Sequence, residues 1–182
     1  MHSLSKRILA ALLTIGTLTL CGCNAKEEVE TEFQNQIDSF SKKVDALDAE
    51  INAIDTSVDN YRELFLEKLD ELDALFSKLP TYQEPTGYSE YYDIFAGNAA
   101  EFMSEAKMYF NHTYGDNSYN QTYIDIANEY YNAAIREIRN IGYMLAGYDV
   151  SGEIHDNDYL EEYEDKFWES LNNSNNEEST EQ

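Results

Sequence analysis

The chain has 182 residues, with 36 acidic side chains against 12 Lys and Arg, and its formal net charge is -24. This length suits one ordinary domain, and a content of 2 Pro and 8 Gly argues against a turn-rich β-sandwich or barrel. A surface this acidic repels nucleic acid, so we expect no nucleic-acid partner. Hydrophobic residues make up 42% of the chain, which is enough for a folded core.

The N-terminal segment has the organisation of an export signal. Lys6 and Arg7 precede an uncharged apolar run from Ile8 to Leu20. As a helix this run would be about 20 Å long, which is short of the roughly 30 Å hydrocarbon core of a bilayer. The pattern therefore favours a signal that is removed after targeting over a membrane-spanning helix.

The residues that follow, Leu20-Cys21-Gly22-Cys23, resemble the lipobox of bacterial lipoproteins, in which a Leu stands three residues before the modified Cys. The resemblance implies that a diacylglyceryl group is attached to the Cys23 sulfur. It also implies that a type II signal peptidase cuts between Gly22 and Cys23. Cys21 is an unusual residue at its position in this motif. The alternative is an ordinary secreted protein that is cut nearby.

The resemblance implies a position for the whole protein. Residues 1–22 would be the signal peptide and residues 23–26 the lipid-anchored N-terminus, which holds the protein on the extracytoplasmic face of the bacterial cell membrane. The lipid must supply the anchoring, because the acidic surface opposes binding to anionic headgroups. The rest of the chain resembles only small, acidic, Tyr-rich helical lipoproteins of bacteria that have no assigned role.

The first half of the body carries a sustained helical pattern. From Ala25 to Leu79 there is neither Pro nor Gly, and apolar residues recur in steps of three and four. Either one helix of about 80 Å runs through this stretch, or the chain turns near Thr56. Thr56 and Asp59 have the spacing of a capping box, which favours the start of a second helix there. Without a turn, residues Val29 to Ile54 would need another partner, such as a second copy of the chain in a coiled coil.

Further helices are predicted between clear turn signals. Residues 80–87 contain both prolines and form a loop, and helical spacing returns over residues 88–113 and 119–146. We therefore predict an all-α fold, an antiparallel bundle of about four helices of similar length over residues 27–148. Residues 149–171 follow as an acidic turn and a short amphipathic helix, and residues 172–182 as a disordered acidic tail.

Motifs that could carry catalysis are weak or missing. His112 and His155 lack the neighbours of a helical zinc site. We expect His112 to be exposed near a helix end. Residues 116–120 alternate oxygen ligands as a calcium loop begins, but the Gly and Glu of such a loop are replaced, so a turn and helix cap is favoured. We expect no metal site, no cofactor and no enzymatic activity. A hydrolase would need two carboxylates across a desolvated cleft.

Tyrosine is the most unusual component of the composition, with 15 residues. Two doublets, Tyr91-Tyr92 and Tyr130-Tyr131, lie on predicted helices. The helical spacing predicts that Tyr91 and Tyr131 belong to the apolar stripe and that their partners turn toward its edge. An aromatic face next to acids attracts cations. Tyr92, Tyr123 and Tyr130 are therefore the candidate ligand or partner surface.

These observations leave two functions open. We expect a non-enzymatic interaction or structural role at the cell envelope, with the membrane and an unknown protein as partners. The alternative is a ligand-binding lipoprotein that captures a cationic, peptide or glycan ligand on the Tyr-rich acidic surface. That alternative requires a pocket of roughly 300 Å³ or more among Tyr92, Tyr123 and Tyr130.

Overall fold

The computed structural model describes residues 25–82, 89–115 and 120–155, together with Leu160 and Asp165; for residues 25–29, Ser89 and His155 it describes the backbone alone. Every regular element in this part of the chain is helical, which confirms the all-α fold. The four α-helices are α1 (Ala25–Asn52), α2 (Tyr61–Phe76), α3 (Ser89–Phe110) and α4 (Gln121–Leu145).

Several predictions concern residues that lie outside the described ones. These are the signal peptide and lipobox in residues 1–24, most of the predicted loop in residues 80–87, most of the amphipathic helix in residues 159–171, and the acidic tail in residues 172–182. Within the C-terminal part, Leu160 is helical and buried, and Asp165 is helical and exposed.

The first helical stretch breaks, as the four-helix interpretation requires. Residues 53–60 form turns, and Val58 there is 37% exposed. The predicted helix start at Thr56 is wrong. Asp55 Oδ1 accepts a hydrogen bond from the Ser57 backbone N–H at 2.9 Å, which closes a local turn in place of a helix cap. Helix α2 begins only at Tyr61, and its 16 residues make it shorter than the other helices, so the expectation of matched lengths is also wrong.

Contacts between side chains show that α1, α2 and α3 run antiparallel to their neighbours. The rings of Phe40, in the middle of α1, and Phe76, at the C-terminal end of α2, meet edge-on with 6.0 Å between centroids. Glu50, near the C-terminal end of α1, instead pairs with Lys68 earlier in α2, with 2.9 Å between Lys68 Nζ and Glu50 Oε2. Helices α2 and α3 are joined in the same sense by the ring pair Phe65–Phe110, at 4.7 Å between centroids.

Helix α4 completes the antiparallel bundle. It packs along the length of α3, where the rings of Phe102 and Tyr130 lie 5.9 Å apart. It also touches α1, since the Tyr131 hydroxyl reaches Asp48. The chain therefore goes up, down, up and down around one core, in the predicted topology.

The core contains the residues that the helical spacing selected on α1 and a wider set on α4. Helix α1 buries Phe33, Ile37, Phe40, Val44 and Ile51. Helix α4 buries two adjacent stripes, because it packs against both α3 and α1. The predicted stripe holds Ala127, Ala134, Ile138 and Ile141, and the second stripe holds Ile126, Tyr130, Ala133, Glu137, Asn140 and Met144.

The ends of α3 and α4 have well-defined local structures. Helix α3 passes into a π-helical turn, Asn111–Gly115, which places Thr113 in the core. Helix α4 begins after Asn120, whose side chain accepts a hydrogen bond from the Thr122 N–H at 2.9 Å. This is the cap that the sequence predicts for the end of residues 116–120. None of the described helices combines the length and the apolar character needed to cross a membrane.

Candidate functional site

Tyr92 lies inside one end of the bundle. Its side chain is 3% exposed, and its hydroxyl donates a hydrogen bond to the Pro80 carbonyl oxygen. Its ring meets the ring of Phe33 edge-on, with 5.0 Å between centroids. Burial raises the pKa of the Tyr92 phenol, and the charge of Asp93 adds to the effect. Tyr92 therefore ties the segment after α2 to the bundle and has little surface to offer.

Tyr130 and Tyr123 belong to a different group of rings, between α3 and α4. The buried ring of Tyr109 stacks on Tyr130 with 6.0 Å between centroids and lies 5.7 Å from Tyr123. Tyr123 is half-buried, and His112 stacks on it at 6.0 Å. His112 is exposed at the end of its helix, as predicted. These rings thus form a row of aromatic contacts between α3 and α4.

The predicted tyrosine surface does not form. The prediction for the doublets is wrong, since Tyr92 and Tyr130 are the buried members and Tyr91 and Tyr131 are half-buried. A helix that packs on two neighbours buries a wider arc than one stripe, and this moves Tyr92 and Tyr130 inward. The cavity beside Tyr92 holds about 110 Å³, below the volume that the ligand-binding alternative requires; it is lined by Glu30, Phe33, Gln34, Tyr82, Tyr92 and Leu145.

Tyr131 instead forms a hydrogen bond between α4 and α1. Its hydroxyl donates to Asp48 Oδ1 at 2.6 Å. Burial, together with the negative charge and hydrogen bond of Asp48, raises the pKa of Tyr131. The pKa of Asp45 is also raised, by partial burial and by Asp48, while Arg139 opposes the shift. The bond between Tyr131 and Asp48 holds two helices together and leaves the tyrosine hydroxyl engaged.

A second aromatic cluster lies at the opposite end of the bundle, where α2 begins. The Arg62 guanidinium sits over the rings of Tyr61 and Tyr114, at 5.5 Å and 5.7 Å from their centroids. Phe65 packs against Tyr114 at 5.3 Å. The aromatic faces that could have bound a cationic ligand here are occupied by the protein's own arginine.

An open groove runs along the outside of the α1–α2 pair. Its open volume is about 370 Å³, and it is lined by Lys43, Ala46, Leu47, Glu71, Ala74, Leu75 and Lys78. Leu47 and Leu75 are half-buried and form its floor, while Ala46 and Ala74 are exposed beside them. The two alanines keep the groove shallow and wide, because neither carries a side chain beyond Cβ. The groove is therefore an apolar surface that the four helices leave uncovered.

Charges around this groove are unevenly compensated. At one end Lys68 Nζ pairs with Glu50 at 2.9 Å and with Glu71 at 3.1 Å. The hydrogen bonds to Glu50 and Glu71 raise the pKa of Lys68, so the ammonium remains charged and the Glu71 charge is engaged. Lys43 and Lys78 are exposed, and neither makes an ion pair within the part of the chain that the structure describes.

The two free lysines lie at the same end of the groove. Lys43 precedes Leu47 by about one turn of α1, and Lys78 follows Leu75 by about one turn beyond the end of α2. Because the helices are antiparallel, these offsets place both ammonium groups near the C-terminal end of α2. The groove thus combines an apolar floor with a cationic end, on a chain whose net charge is -24.

Sequence reasoning missed this groove. On α1 alone, Lys43 and Leu47 have an ordinary one-turn spacing, and Ala46 gives only a weak hydrophobic signal. The groove exists only through the register that sets Ala46 and Leu47 beside Ala74 and Leu75. No local pattern encodes that register.

Across the described ranges, no three His, Asp or Glu side chains come together in a group that could hold a metal ion. The chain matches no protein-family profile, no curated protein and no solved structure.

Proposed function

We propose that this chain is a lipid-anchored, extracytoplasmic helical-bundle lipoprotein whose role at the bacterial cell envelope is a non-enzymatic interaction with another protein. The α1–α2 groove is the observation that carries the interaction. It is an apolar surface that the four described helices leave uncovered, and it is lined by Lys43 and Lys78, which make no ion pair with the described residues. Apolar grooves rimmed by polar residues are typical of protein-interaction sites.

The proposed anchor and the groove are compatible in position. Helix α1 begins at Ala25, directly after the proposed lipid-bearing Cys23, so the linker between the lipid and the bundle is short. Along the axis of α1, Lys43 is about 27 Å from Ala25. A bundle that stands on its anchored end therefore holds the groove well above the lipid headgroups, where a protein partner can reach it.

The anchor is tested by the mass of the mature protein. In a membrane fraction we expect a chain that starts at Cys23 and carries the mass of a diacylglyceryl group with its acyl chains. Cys23→Ala should lose that added mass and leave the membrane fraction, while its helical circular dichroism stays unchanged. The matched control, Cys21→Ala, should keep the lipid. An unmodified Cys23 sulfur in the wild-type protein would contradict the proposal.

The interaction is tested by an amine-reactive, membrane-impermeant crosslinker applied to intact cells. We expect covalent adducts with another protein through Lys43 or Lys78, since both ammonium groups are exposed at the groove. Lys42, the exposed neighbour of Lys43 that does not line the groove, is the internal control and should give fewer adducts. Adducts confined to Lys42 and other positions would exclude the groove as the interaction site. Labelling that appears only after the cells are lysed would exclude the extracytoplasmic position.

A further inference from the structure

We infer that the occupant of the α1–α2 groove is an acidic amphipathic helix of another protein. This inference rests on the proposed interaction role and specifies the partner's chemistry. Three features of the groove carry it: its shape between two antiparallel helices, its apolar floor and its cationic end.

The shape favours a helix over an extended segment. The walls of the groove are α1 and α2, whose backbone groups near Leu47 and Leu75 are already bonded within their own helices. An extended peptide would find no backbone partners there and would leave its own N–H and C=O groups unpaired. A helix satisfies its own backbone and packs its side-chain ridges into the groove between two others. Ala46 and Ala74 allow that third helix to approach closely.

The floor fixes the apolar face of the partner. Leu47 and Leu75 present half-buried aliphatic surface, and the groove of about 370 Å³ has room for a few aliphatic or aromatic side chains. Such side chains lie on one face of a helix when they are spaced by three or four residues. The partner helix is therefore amphipathic, with a short row of apolar anchors.

The charged residues that line the groove favour a partner helix with negative charge. Glu71 is the acid that lines the groove, and Lys68 engages it at 3.1 Å. Lys43 and Lys78 make no ion pair with any described residue, and carboxylates of a partner within a few ångströms of them would gain attraction on binding. We therefore expect the partner helix to carry a carboxylate near one end of its apolar row, facing Lys43 and Lys78.

The inference is tested by photo-crosslinking from inside the groove. The full-length, anchored chain carries p-benzoylphenylalanine in place of Ala74, and irradiated cells are analysed for the peptide attached to it. We expect a segment of another protein that has apolar residues at helical spacing and a net negative charge. The double charge reversal Lys43→Glu with Lys78→Glu should lower the adduct yield by about tenfold, because like charges then face each other. Lys42→Glu should leave the yield unchanged.

Other occupants would overturn the inference. These are a neutral or basic segment, the acidic amphipathic segment of this chain itself, a second copy of this chain, a lipid adduct, or no adduct from a chain shown to be anchored and folded. An adduct yield that resists the double charge reversal would also overturn it. The proposed function is judged by other measurements, intact mass for the anchor and the amine-reactive crosslinker for binding at the groove, so its failure is distinguishable from the failure of this inference.

Discussion

The hydroxyl of Tyr131 donates a hydrogen bond to Asp48 Oδ1 at 2.6 Å, between residues 83 positions apart in the chain. The bond links α4 to α1, the pair that must meet if the four helices are to close around one core. Most of the packing in the bundle is between α3 and α4, so a polar contact between α1 and α4 matters more than it would elsewhere.

Tyr131→Phe removes the donor and keeps the ring. We expect a loss of about 1 to 2 kcal/mol in the free energy of unfolding, since the bond is made to a charged acceptor. Urea denaturation followed by circular dichroism measures the change. Tyr148→Phe is the matched control, because Tyr148 is 67% exposed and should change stability very little. Equal effects in the two variants would mean that the bond to Asp48 contributes nothing.

The buried phenols also predict how stability depends on alkaline pH. The pKa values of Tyr92 and Tyr131 are raised above the ordinary value of 10.0, mainly by burial. The folded state therefore holds these protons more tightly than the unfolded state does. The contribution of these two phenols to the free energy of unfolding is fully present below pH 10.0. It is lost as the pH rises above that value, because the tyrosines of the unfolded chain then ionise. Lys107 acts in the same direction, because its hydrogen bonds to Asp73 and Asp70 raise its pKa.

Unfolding free energies measured from about pH 8 to about pH 11 should show this fall. The tyrosinate absorbance of the folded protein should rise in two steps, with the buried phenols ionising only as the bundle opens. Tyr131→Phe should flatten the fall in stability. A stability that is constant across this range would rule out any role for the buried phenols.

Lys107 joins α3 to α2 through two carboxylates. Its Nζ lies 3.0 Å from Asp70 Oδ1 and 2.8 Å from Asp73 Oδ2, and its side chain is 30% exposed. Lys107→Met keeps the aliphatic stem and leaves two acids facing each other. We expect a loss of about 0.5 to 1 kcal/mol, as for other partly exposed ion pairs.

The loss at Lys107 should shrink at about 1 M salt, where charges a few ångströms apart are screened. Thermal denaturation at low and high salt measures both effects. Lys42→Met is the control, since Lys42 is exposed and its side chain makes no ion pair with the residues that the structure describes. A loss at Lys107 that is independent of salt would contradict a stabilisation of the α2–α3 contact by these ion pairs.

The α1 stripe was predictable from the sequence, because a helix that buries one face needs only local spacing. Phe33, Ile37 and Phe40 are buried for that reason. The start of α2 was not, since residues 53–60 form turns, one of them closed by the hydrogen bond from the Ser57 N–H to Asp55 Oδ1, and α2 begins only at Tyr61. The capping-box spacing of Thr56 and Asp59 does not show whether the chain forms a turn or a helix there.

The candidate sites could not be predicted from the spacing of residues within one helix. Tyr130 was predicted at an edge and is buried, because α4 contacts both α3 and α1 and buries two stripes. The groove depends on the register between Leu47 and Leu75, residues of different helices. Both outcomes are set by the packing of helices against each other, so a pattern within one helix cannot reveal them.

Two glycines near the end of α4 predict opposite effects of the same substitution. Gly147 has φ of +82°, and it sits where the Tyr148 N–H bonds to the Tyr143 carbonyl and its own N–H to the Met144 carbonyl, each at 3.0 Å. This is the Schellman arrangement that ends many helices. The rings of Tyr143 and Tyr148 meet edge-on at 5.9 Å, which is the apolar contact that accompanies it. Gly142 lies within the helix, and a Cβ there would meet nothing within 4 Å.

Gly147→Ala forces a side chain into the left-handed region and should cost about 1 kcal/mol of stability. Gly142→Ala should stabilise the protein by about 0.5 to 1 kcal/mol, because alanine restricts the unfolded chain and favours the helix. Thermal denaturation of the two variants under one set of conditions gives the comparison directly. Since both substitutions add the same methyl group, a shift of equal sign would show that added bulk, not backbone conformation, decides the outcome at the end of α4.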